Sequence, residues 1–114
     1  MAIDIFEQME NKDDFRVQMS WGGAVERKGT IYYETAEAIR AGKRSTDAAD
    51  PIARADELEA EAEAFWRDAK SKYLYSIELR SGEPEPMNGL VRTTGFLGEY
   101  EESIQWATEF IDAV

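Results

Sequence analysis

The chain has 114 residues, with 24 acidic and 13 basic side chains and a formal charge of −11. That length suits one domain, residues 1–114, and a field of that sign repels phosphate, setting aside direct binding to a nucleic-acid backbone. With no cysteine and no histidine, disulfides, zinc thiolates, thiol nucleophiles and the usual Ser-His-Asp machinery are also set aside.

The opening residues carry no signal-peptide order, and no apolar run reaches the ~18–20 residues of a membrane span. A cytoplasmic protein with no membrane association, metal or cofactor is therefore expected. Residues 4–11 suggest a short helix, with Asp4 as cap, Glu7 in the capping-box position and Ile5 facing Met9. From Phe15 to Trp21 apolar and polar residues alternate, which predicts a half-buried strand. Gly22-Gly23 is a permitted two-residue turn, and residues 24–33 return as the partner strand, interrupted at Gly29. Thr35 offers a cap to a short helix over 36–41, stopped by Gly42.

The best-marked element begins at Asp50, an N-cap acceptor followed by Pro51 at the first helical position. At ~100° per residue, Ile52, Ala55, Leu58, Ala62, Phe65, Trp66, Ala69 and Tyr73 share an arc of roughly 140°, a core-facing stripe. Its outer face repels itself in the middle, where Glu57 with Glu61 and Glu59 with Glu63 are like-charged i,i+4 pairs. From about residue 73 the aromatic and β-branched content favours a strand to residue 80. Residues 81–89 read as a loop and Leu90 to Phe96 as the returning strand. Glu99 to Val114 is a second amphipathic helix, with Tyr100, Ile104, Ala107, Ile111 and Val114 on its apolar side.

This order predicts an α+β fold, an antiparallel sheet of two hairpins packed against two long amphipathic helices. The alternative is a mostly helical chain in which residues 51–80 form one helix.

The functional lead is charge. Asp56, Glu57, Glu59, Glu61 and Glu63, with Glu101, Glu102, Glu109 and Asp112, form a candidate face for a basic protein surface. Glu109 and Asp112 lie near a helix C-terminus, where the dipole disfavours them. Tyr32, of the Tyr32-Tyr33 pair, is the candidate anchor at such an interface. In size, charge and lack of cysteine the chain resembles phage-borne nucleic-acid mimics, such as anti-restriction and anti-CRISPR inhibitors, and the immunity proteins that neutralise nuclease toxins. The resemblance implies a non-enzymatic module that docks on a basic partner, such as a nucleic-acid-binding protein. One alternative is a self-associating structural or assembly protein, including a homodimer, with contacts at Leu74, Ala60 and Ala64. Another is a carboxylate-based, metal-dependent hydrolase using pairs such as Asp13-Asp14.

Overall fold

The structure, a computed structural model, describes residues 13–114; the expected helix over 4–11 lies outside the described residues. Four α-helices account for the described fold: α1 (Phe15–Arg40), α2 (Pro51–Leu79), α3 (Pro84–Phe96) and α4 (Tyr100–Ala113). Among the described residues there is no strand, so the α+β fold with two hairpins is corrected to an all-helical one. The alternative reading of residues 51–80 matches α2, which ends at Leu79.

The capping chemistry sets the helix starts. Asp14 caps α1 by accepting from the backbone N–H of Arg16 and Val17 at 2.8 and 3.3 Å. Asp50 does the same for α2 through Ala53 N–H at 3.1 Å, with Pro51 in the first turn.

α1 and α2 form an antiparallel hairpin, and their inward residues recur mostly at steps of three and four. In α1 these include Phe15, Gln18, Gly22, Val25, Gly29, Ala36 and Ile39; in α2 they include Ala55, Leu58, Ala62, Ala69, Tyr73 and Ser76. That is the seam of a coiled coil, with small residues opposite large rings. A Cβ built on Gly29 would lie 2.8 Å from Cδ1 of Trp66, and one on Gly89 would lie 2.5 Å from Cζ of Tyr73. Both glycines sit inside helices at a cost of about 1 kcal/mol each, offset by seating an indole and a phenol against backbone.

The same packing explains the first corrected hairpin. Gly22-Gly23 is helical, with Gly22 facing the Tyr73 ring, and residues 15–21 alternate in hydropathy although Phe15, Val17 and Gln18 are all buried. The expected strand over 24–33 and the helix over 36–41 are continuous parts of α1. The expected strand over 73–80 is the last two turns of α2, where Tyr73 and Ser76 stay on the seam. The expected loop over 81–89 is helical from Pro84, and the expected strand over 90–96 is the rest of α3, burying Leu90, Thr93 and Thr94.

A polar triad closes the core where α1, α2 and α3 meet. Tyr73 Oη donates to Glu26 at 2.6 Å, and Arg92 donates to the same carboxylate at 2.9 and 3.1 Å. The triad is satisfied and ties three helices together.

Candidate functional site

α4 is the element the fold leaves least covered. It packs on α3, where Ser103 Oγ donates to Val91 O at 2.9 Å, and Trp106 reaches the core cluster around Val25, Ala69, Tyr73 and Leu90. Its start is tied to α2 by Lys70, which donates to Glu99 at 3.1 Å and Glu102 at 2.9 Å. Burial, which lowers the Lys70 pKa, is outweighed by hydrogen bonds to Glu102 and Glu99, and the ammonium is held above its usual range.

Beyond those contacts the helix is open, and none of its residues is fully buried. Tyr100, Ile104, Ile111 and Val114 are 69, 67, 67 and 77 % exposed. At ~100° per residue they form a stripe roughly 80° wide, next to the seated side and bordered by Glu101, Thr108 and Asp112. Across the helix, Glu101, Glu102, Gln105, Trp106 and Glu109 line a shallow groove of about 990 Å³ whose other wall includes Ile77 and Met87.

The two acidic groups named from the sequence have different electrostatic settings. On α2, Arg40 bridges Asp56 at 2.6 Å and Glu59 at 2.7 Å, Arg54 bridges Glu57 at 3.1 Å, and Arg67 lies 3.7 Å from Glu63. Those bonds, Asp56 first, hold the Arg40 guanidinium even further above its ordinary pKa. Among the described residues Glu61 is the one member of that set with no ion pair. On α4, Glu102 is paired, whereas Glu101, Glu109 and Asp112 have no ion pair among the described residues. Of the acids named from the sequence, those without an ion pair among the described residues are thus mostly on α4.

Tyr32 is half buried, its ring edge-on to Phe65 at 5.2 Å, while its neighbour Tyr33 is exposed beside Trp66. Of the Tyr32-Tyr33 pair named from the sequence, Tyr33 is thus the more exposed ring; Glu34 and Phe96 were not singled out, since nothing in the sequence brings residue 96 to residues 33 and 34. Leu74 packs against the core, while Ala60 and Ala64 are exposed. Asp14 is the cap of α1 and Asp13 accepts from Tyr75 Oη at 2.7 Å. Among the described residues no three carboxylates are grouped to hold a metal ion. Nor is any described helix long and apolar enough to cross a membrane.

Comparisons with protein families, curated proteins and solved structures return no match.

Proposed function

We propose that the protein is a non-enzymatic binding module whose α4 receives a basic, apolar-faced segment of a partner protein. One observation carries this reading: α4 leaves a stripe of large apolar side chains in solvent, bordered by Glu101 and Asp112, which have no ion pair among the described residues. Each half of the pattern asks for a complement, apolar side chains against the stripe and Lys or Arg against the bordering Glu101 and Asp112. An amphipathic helix with basic flanks has both, as does the rim of a basic nucleic-acid-binding surface. A second copy does not fit through this helix, because residues 99–114 carry five acids and no base. Two such helices would set carboxylate against carboxylate.

The reading is tested with a short amphipathic helix built from Leu and Lys, measured by fluorescence anisotropy from about 50 to about 500 mM salt. Glu101→Gln with Asp112→Asn should weaken binding at least tenfold at low salt and flatten its salt dependence, while Glu109→Gln, across the helix, should cost less. Neutralising Glu57, Glu59, Glu61 and Glu63 should cost less, because most of them already face arginine. Equal losses from the two sets would count against α4 as the docking element.

A further inference from the structure

Next to the start of α4 lies a cavity of about 500 Å³ whose lining combines four aromatic residues with three carboxylates. Tyr33, Trp66, Phe96 and Tyr100 supply the rings, and Glu34, Glu59 and Glu63 the acids. Trp66 is fixed at the bottom, with its indole N–H 3.4 Å from Thr30 Oγ1. Phe96 stacks on it at 4.9 Å and 29°, and Tyr33 leans on it at 5.5 Å and 46°. Phe96, Tyr33 and Tyr100 keep much of their surface in solvent.

Elsewhere the chain supplies cations to its own rings. Lys28 lies 4.7 Å from the Phe65 centroid, Lys72 lies 4.0 Å from Trp21, and Arg80 lies 4.6 Å from Phe15. This cavity has no lysine or arginine among its described lining residues. Glu59 is shared with Arg40, Glu63 has only the long contact to Arg67, and Glu34 has no ion pair among the described residues. Ring faces carry negative quadrupole potential and the carboxylates add full charge, so the cavity is complementary to an organic cation.

We infer that this cavity is an anchor pocket for an arginine side chain of the partner. A guanidinium is flat enough to stack on exposed rings, and its five N–H donors can serve several carboxylates at once. A lysine ammonium offers a compact charge and no plane. The inference extends the reading of α4 as a docking helix, since Tyr100 belongs to both the stripe and the pocket. It can nevertheless fail separately, because the Leu/Lys peptide contains no arginine.

The experiment is an NMR titration of the full chain with N-acetyl-arginine N-methylamide, following the Trp66 indole N–H and the amides of Tyr33, Glu63 and Phe96. The arginine probe should give saturable shifts confined to these positions, while the neutral citrulline analogue gives none and the lysine analogue binds at least fivefold more weakly. Glu34→Gln with Glu63→Gln should weaken the arginine probe at least fivefold, and Phe96→Ala should do the same without loss of the helical spectrum. Equal shifts with citrulline, equal binding of lysine, or shifts that follow Glu101 and Glu109 while the pocket stays silent would each overturn the assignment. If the pocket result holds while the Leu/Lys peptide fails to bind, the α4 reading falls and the arginine site stands.

Discussion

Replacing Gly89 by alanine is the sharpest test of how the helices are packed. The new methyl carbon would lie 2.5 Å from Cζ and 2.7 Å from both Cε atoms of Tyr73. That ring is 2 % exposed, its hydroxyl is held by Glu26 at 2.6 Å, and α1 closes its other side at Gly22. It has nowhere to retreat. Overpacking of this kind costs about 1–3 kcal/mol, and a pinned ring puts Gly89→Ala at the upper end; about 1 kcal/mol returns through the better helix propensity of alanine. The net loss should be about 1–2 kcal/mol, or about 4–8 °C in Tm for a domain of this size. Gly23→Ala is the internal control, because its methyl meets only Tyr73 Oη at an ordinary 3.8 Å. There the propensity gain stands alone, about 0.5–1 kcal/mol of added stability. Thermal unfolding followed by circular dichroism measures both. Shifts of the same sign in the two variants would refute the argument that Gly89 is there to admit the Tyr73 ring.

Burial, and then the hydrogen bond to Glu26, hold the Tyr73 phenol well above the usual tyrosine range. A folded-state pKa raised above the unfolded one means stability is fully present below about pH 10 and declines as pH rises beyond it. Denaturant midpoints from neutral pH to above pH 10 should show that decline, and Tyr73→Phe should lessen it at the cost of lower stability near neutrality. Lys70→Gln should loosen the start of α4, because it removes the cation shared by Glu99 and Glu102. Partly exposed pairs contribute about 1 kcal/mol at most, so amide exchange in the first turns of α4 should quicken about fivefold, with α1 and α2 unchanged.

The start of the long acidic helix and its inward stripe were legible because each rests on local chemistry. Asp50 with Pro51 marks a start that the structure keeps, and the stripe from Ala55 to Tyr73 is the α2 seam. The second helix was equally plain, since its apolar and acidic positions separate cleanly from Tyr100 to Val114. α1 was illegible for a specific reason. Its seam positions include Gln18, Gly22 and Gly29, which carry no hydrophobic signal, while the flanking Met19 and Trp21 complete a false two-residue period with Phe15 and Val17. Glycines that admit a ring from another helix look, in one dimension, like turns. The same confusion hid α3, where Pro84, Pro86 and Gly89 resemble a loop but open a helix and admit Tyr73. For the site, the acids were visible and their pairing was not. Arg40 is distant in sequence from Asp56 and Glu59, and only the antiparallel hairpin brings it to them. The pocket around Trp66 draws on all four helices, so no local pattern could announce it.

The claim that α4 docks a basic, apolar-faced partner is tested most directly by Ile104→Asp, measured against the Leu/Lys helical peptide at low salt. The substitution makes an already acidic helix more negative and places a charge in the middle of the exposed stripe. If seating of apolar side chains matters as proposed, affinity drops at least tenfold despite the added attraction. If the peptide is held by net charge alone, affinity stays level or rises, and the account of α4 as a docking element is contradicted.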